Sequence, residues 1–125
     1  MKTRRETFDR VIPILRIFDV AKAREFYVGF LGMTVDWEHR FSDNAPLYMQ
    51  VSRAGLTLHL SEHYGDACPG STVFLRVRNL RAYHAEISAK GYGYLRPGIE
   101  DTFHKSTCME VIDPFGNRLR FDESI

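Results

Sequence analysis

Six residues recur in kind sixty positions apart: Leu15-Arg16-Ile17-Phe18-Asp19-Val20 lines up with Leu75-Arg76-Val77-Arg78-Asn79-Leu80. Each copy ends an apolar run and opens a helical pattern. The chain therefore repeats a supersecondary unit, and such a repeat fixes the architecture before any other feature does. Asp19 and Asn79 both suit an N-cap, where a short side-chain oxygen accepts from an orphan backbone N–H of the first turn. Beyond Asp19, the residues Val20, Ala23, Phe26, Tyr27, Phe30 and Leu31 form one face of a 3.6-residue period, and Gly32 supplies the stop. Beyond Asn79 the face is thinner (Leu80, Tyr83 and Ile87), and Gly91 ends it.

Strands fill in around the helices. Residues 11–17 and 72–77 lead into them, and residues 47–51 and 56–61 alternate clearly. Residues 107–112 and 117–122 flank Asp113-Pro114-Phe115-Gly116, a strong turn signal, and a weaker strand covers 34–38. Residues 42–46 and 64–70 are loops, the second linking the halves. The expected fold is a single α+β domain of two modules, about 10–63 and about 71–123.

Alternation sorts the side chains. Leu56, Leu58 and Leu60 face a helix, which leaves Thr57, His59 and Ser61 opposite. That opposite face also carries Ile12, Ile14 and Arg16, then Tyr48 and Gln50, then Thr72, Phe74 and Arg76. It closes with Cys108, Glu110, Arg118 and Arg120, and counting across the 113–116 turn sets Glu110 opposite Arg120. A face mixing aromatics, a histidine and charges suits a ligand cleft. The alternative is a sheet that simply shows one face to water.

The formal net charge of +1 comes without a basic stripe, which argues against a nucleic-acid partner. Lys2, Arg4 and Arg5 are followed at once by Glu6 and Asp9, a solvated arm. No run approaches the roughly 18–20 apolar residues of a membrane span, and no apolar signal core opens the sequence. Cys68 and Cys108 lack metal-ligand spacing. They are taken as free thiols in a reducing cytoplasm, with a disulfide as the alternative.

With these elements in place the sequence resembles the glyoxalase, bleomycin-resistance and vicinal-oxygen-chelate superfamily. The first carrier is the stretch Val11-Ile12-Pro13-Ile14-Leu15-Arg16-Ile17-Phe18-Asp19-Val20 with Ala23, Phe26-Tyr27 and Leu31-Gly32-Met33. The second is Val111-Ile112-Asp113-Pro114-Phe115-Gly116-Asn117-Arg118-Leu119, similar to that family's closing D-P-x-G-N turn and final strand. The resemblance implies two tandem βαβββ modules forming a cupped, mostly antiparallel, partly closed barrel around a site.

In the family's metalloenzymes four ligands stand on the first and last strands of the modules. By resemblance those positions are Ile12, His59, Thr72 and Arg120. Isoleucine cannot coordinate, threonine rarely does, and arginine has no lone pair to give. One donor in four does not hold a divalent ion. The resemblance is thus closest to the metal-free bleomycin-resistance-like members, which sequester a drug and are generally homodimers with clefts built from both chains. Where that subgroup carries a P-W-G segment, this sequence has Phe103-His104-Lys105-Ser106.

The expected ligand-binding residues are Arg16, Trp37, Tyr48, His59, Phe74, Arg76, Glu110 and Arg120, with no metal and no cofactor. The arginines would attract an anionic group through bidentate hydrogen bonds, unless Glu110 and other acids neutralise them. Trp37, Tyr48 and Phe74 would offer stacking surface, although alternation leaves the facing of Trp37 open. His59 and His63 lie about 13 Å apart on a strand, too far for one ion, and share a face only on a helix. Cys108 has no base supplied to it and is taken as a small apolar residue, the alternative being a nucleophile.

The expected function is sequestration of a small drug or metabolite, without turnover, by a cytoplasmic homodimer. An enzyme of the same fold is the second hypothesis, of lyase, isomerase or dioxygenase type. It would use an atypical metal site or acid–base chemistry at His59 and Glu110. A dimerising module without a ligand is the third.

Overall fold

The computed structural model describes residues 4–125; Lys2 lies outside them. In the first half, β1 (Ile14–Arg16) leads into α1 (Val20–Arg24), which widens into a π-helical stretch over Glu25–Phe30. The strands β2 (Thr34–His39), β3 (Tyr48–Arg53) and β4 (Leu56–Ser61) follow. The second half repeats this order: β5 (Thr72–Arg76), α2 (Leu80–Ser88), β6 (Glu100–Asp101), β7 (Ser106–Ile112) and β8 (Arg118–Ser124). Each half makes its own four-stranded sheet, ordered β1-β4-β3-β2 and β5-β8-β7-β6. The first strand of each half pairs parallel with the last, and the other pairs are antiparallel. Among the described residues the two sheets stay separate and do not close into a barrel.

The helix-facing side of each sheet is the core. Leu15, Met49, Val51, Leu58 and Leu60 of the first sheet are buried, as are Met109, Val111, Leu119 and Phe121 of the second. They pack with Phe26, Tyr27, Phe30, Leu80 and Ile87 from the helices. The halves are joined by polar contacts of long sequence range. Asn117 Nδ2 donates to the carbonyl of Arg16 at 2.8 Å, and its Oδ1 accepts from the N–H of Ser71 at 3.2 Å. One amide thus ties the end of β1 to the start of β5 from the turn between β7 and β8.

Several local expectations are corrected. The first strand is shorter than residues 11–17. Its ladder opens at the carbonyl of Pro13, which has no N–H to extend it, and Val11 is 90% exposed. The helix after Asp19 is capped as expected, with the Asp19 carboxylate accepting from Lys22 N–H at 2.9 Å. It does not stay α-helical to Gly32. The N–H of Leu31 reaches back five residues to Phe26, and the wider turn buries Phe26, Tyr27 and Phe30 together.

Asn79 does not cap α2 with its side chain. It takes a left-handed backbone (φ 60°), and the carboxylate of Glu123 accepts instead from the N–H groups of Asn79 and Leu80, at 2.8 and 3.0 Å. The last strands run over Ser106–Ile112 and Arg118–Ser124, longer than 107–112 and 117–122. The third strand starts at Tyr48 and continues past residue 51 to Arg53. Both cysteines are free thiols.

Candidate functional site

The helix-distal face of the first sheet gathers Trp37, Tyr48 and His59. Tyr48 and His59 get there by plain alternation along β3 and β4. Trp37 gets there by a bulge: Val35 pairs with Val51, yet Trp37 pairs with Gln50, so Asp36 is an extra residue in β2. Without that extra residue Trp37 would lie opposite Met49, on the core face. Asp36 is held in place by hydrogen bonds from Gln50 Nε2 and Ser52 Oγ, both 3.0 Å. These two bonds, Gln50's the larger, lower the Asp36 pKa below the usual carboxylate value.

The three rings form a preorganised unit. Trp37 and Tyr48 stack at 5.9 Å with planes 10° apart, and His59 meets both edge-on at 5.3 and 5.1 Å. Nδ1 of His59 lies 2.7 Å from the Tyr48 hydroxyl, and Nε2 lies 3.0 Å from Oε1 of Gln50. Because Gln50 turns its amide nitrogen to the Asp36 carboxylate, its oxygen faces the imidazole, and Nε2 carries the proton. Burial lowers the His59 pKa and keeps the ring neutral at pH 7, so Tyr48 donates to Nδ1. The Tyr48 pKa is raised, first by burial and then by the charge of Asp66.

Beside these rings is a cavity of about 440 Å³ lined by Trp37, His39, Phe41, Tyr48, His63 and Asp66. His39, Phe41, His63 and Asp66 were not among the expected site residues. Trp37, His39 and Phe41 do alternate along the chain, a signal that could have found two of them. Asp66 sits in the 64–70 loop and had none.

The second sheet carries Phe74, Arg76, Glu110 and Arg120 on its helix-distal face. Glu110 pairs with Arg120 in register, as counted from the turn, and its Oε1 takes Arg118 at 3.1 Å and Arg120 Nε at 3.6 Å. Arg76 donates to Ser124 Oγ at 2.7 Å, approaches Asp122 at 3.9 Å, and lies over the ring of Phe74. Phe74 is 55% exposed. Arg16 is engaged within its own module, donating to the carbonyl of Glu62 and stacking on Phe18. Cys108 has its pKa raised, first by burial and then by Asp122, which opposes thiolate formation. No hydrogen bond, ion pair or ring contact joins the first-sheet group to the second-sheet group among the described residues.

The four positions at which related metalloenzymes ligate metal do not fit an ion. Both nitrogens of His59 already have partners, Thr72 and Arg120 are exposed, and Arg120 would repel a cation. Among the described residues no group of three His, Cys, Asp or Glu side chains could hold a metal. Because β4 runs through Ser61, His59 and His63 do not share a helical face. A larger cavity of about 880 Å³ lies between the β3–β4 hairpin, the end of β5 and α2. Its Arg53 and Glu86 bind each other at 2.7 and 2.8 Å, so the two charges compensate within the chain.

The sequence pattern of a family described as "Glyoxalase superfamily protein" matches residues 2–125. The fold is similar to that of a bleomycin-binding protein complexed with bleomycin, at 24% identity and TM-score 0.71, over 94% of this chain and 100% of the other. It is also similar to a bleomycin resistance determinant encoded on transposon Tn5, at 24% identity and TM-score 0.72, over 94% and 98%. An antibiotic-binding protein from Streptomyces sp. CB03234 aligns at 19% identity and TM-score 0.70, over 97% and 100%. No curated protein matches the sequence.

Proposed function

We propose that this chain, which belongs to the glyoxalase superfamily, binds a small drug or metabolite in a metal-free cleft and sequesters it without turnover. The observation that carries this is the state of His59. It is the one family-type ligand left, and both its ring nitrogens are engaged, by Tyr48 and Gln50. A ring so held serves as a fixed wall of a binding site. Glu110, the partner expected for acid–base chemistry, stands on the other sheet with two arginines. Likeness to proteins that bind bleomycin or another antibiotic supports a ligand of that kind and a role in antibiotic resistance.

The proposed ligand-binding residues remain Arg16, Trp37, Tyr48, His59, Phe74, Arg76, Glu110 and Arg120, within modules at about 10–63 and 71–123. Ile14, Trp37 and Phe74 leave apolar surface open on the helix-distal side. Such surface suits a homodimer in which the partner completes the cleft. Free thiols accord with a cytoplasmic protein, and no helix among the described residues is long and apolar enough to cross a membrane.

A thermal-shift screen of planar and glycosylated antibiotics, with bleomycin included, tests the proposal. Saturable stabilisation by a compound recovered unchanged supports sequestration. Conversion of the bound compound, or activity that follows an added divalent metal, would replace it with an enzymatic function.

A further inference from the structure

The 440 Å³ cavity on the first sheet has the composition of a box for an organic cation. Its walls are the rings of Trp37, Phe41, Tyr48, His39 and His63, and its one acidic group is Asp66. Trp37 and Tyr48 stack with planes 10° apart, while Phe41 and the two histidines stand steeply to their neighbours. His39 meets Phe41 at 90°, Phe41 meets His63 at 87°, and Tyr48 meets His63 at 59°. Several π faces can therefore converge on one point, and a cation within about 6 Å of such faces is attracted by each ring quadrupole. Phe41 is 79% exposed, so its apolar surface is not consumed by the chain's own core.

Charge points the same way. Among the described residues no lysine or arginine lines the cavity. Arg40, which separates His39 from Phe41 in sequence, turns to the carbonyl of Ala45 at 2.6 Å and approaches Glu62 at 4.0 Å. Asp66 is anchored by Ser61, whose hydroxyl donates to its Oδ2 at 2.6 Å, leaving Oδ1 without a partner among the described residues. Nε2 of His63 is buried and has no hydrogen-bond partner among the described residues, which leaves one polar atom unpaired in the cavity wall.

We propose that this box binds a substituted ammonium group, with the aromatic faces around the alkylated nitrogen and Asp66 as its counter-charge. This rests on the small-molecule-binding function above and specifies the ligand chemistry of its first-sheet half.

Trp37 is the single tryptophan of the chain and stands in the wall, so its emission reports occupancy directly. Choline is titrated against 3,3-dimethylbutan-1-ol, which has the same shape without the charge. The expected result is a saturable change with choline and binding of the neutral isostere about tenfold weaker or less, the scale of a desolvated cation–π contact. Asp66→Asn and Phe41→Ala are each expected to weaken choline several-fold. Asp66→Asn should leave the isostere unchanged.

Equal binding of choline and its isostere, or insensitivity to both substitutions, would overturn the cation assignment. If choline is silent while a neutral or anionic compound from the antibiotic screen moves Trp37 emission, the cation assignment fails and the binding function stands. If no compound of any charge has an effect, both fail.

Discussion

The hydroxyl of Tyr27 donates to Oδ2 of Asp113 across 2.6 Å, and both groups are buried although 86 residues separate them. The same carboxylate accepts from the N–H groups of Phe115 and Asn117 and from Asn117 Nδ2, each at 2.8 Å. An aspartate that opens a D-P-x-G-N turn is thus more than a turn former. Its two oxygens hold the turn's shape and fasten it to the helix of the other half. Together with Asn117, which bonds the carbonyl of Arg16, this group adds polar ties between the halves to the core they share.

Tyr27→Phe should lower stability by roughly 1–3 kcal/mol, the cost of taking a donor from a buried carboxylate. Urea unfolding followed by Trp37 emission and by far-UV circular dichroism checks this. The midpoint should fall with the slope unchanged, and the two probes should still coincide, because Asn117 keeps the halves coupled. Probes that separate would mean that Tyr27 alone makes the halves one cooperative unit.

Alkaline stability follows from the same contact. The Tyr27 pKa is raised well above its ordinary value of 10.0, by burial first and then by the Asp113 charge. Tyr83 is pushed up to about 12, chiefly by burial. A phenol with a higher pKa folded than unfolded gives stability that is complete below pH 10 and is lost as pH rises toward the folded value. Phenolate absorbance from Tyr27 and Tyr83 should therefore appear together with unfolding, above pH 10. In Tyr27→Phe the loss on raising the pH should be shallower.

The faces of both sheets were legible from alternation alone, since Leu58 and Leu60 against His59, and Leu119 and Phe121 against Arg120, keep strict period two. What alternation could not show was any feature that adds a residue or depends on a distant one. The bulge at Asp36 inverts the facing of Trp37 and is stabilised by Gln50 and Ser52 on another strand. The wide turn after Arg24 has an ordinary helical sequence and becomes π-helical where Phe26, Tyr27 and Phe30 are buried together. The two-residue strand Glu100–Asp101 is too short and polar to leave a pattern. Asp66 reaches the cavity from a loop, where spacing carries no geometric information.

The cap of α2 is another feature of that nonlocal kind. Glu123→Ala should cost about 1 kcal/mol, typical of a lost N-cap, because two orphan N–H groups lose their acceptor and the helix N-terminus loses a negative charge. Glu123→Gln should recover part of it, since its oxygen still accepts while the charge is gone. Urea midpoints of the three proteins, at low and at 1 M salt, separate the two contributions.

The two glycines that close the helical patterns should not be equivalent. Both have left-handed backbones, φ 74° at Gly32 and φ 64° at Gly91. A Cβ at Gly91 meets nothing, so Gly91→Ala should lose about 1 kcal/mol from backbone strain alone. A Cβ at Gly32 collides with the guanidinium of Arg53, which bonds the carbonyl of Leu31 and the carboxylate of Glu86. Gly32→Ala should therefore be the more damaging by a further 1 kcal/mol or so, the scale of a displaced hydrogen bond. Equal midpoints for the two variants would show that Arg53 moves aside at no cost.

Protonation of His59 should be visible at Trp37. The imidazole lies 5.3 Å from the indole, and burial holds its pKa below the ordinary value of 6.5. A histidine whose folded pKa is depressed contributes stability that is complete above pH 6.5 and is lost as pH falls through the folded value. A second proton on the ring would also break the pattern in which Tyr48 donates to Nδ1. Trp37 emission should accordingly titrate with a midpoint below 6.5 and at pH values where the protein is still folded. His59→Gln should flatten that step. A midpoint at or above 6.5, or a step unchanged in His59→Gln, would mean that the ring is more solvated than its contacts with Tyr48 and Gln50 imply.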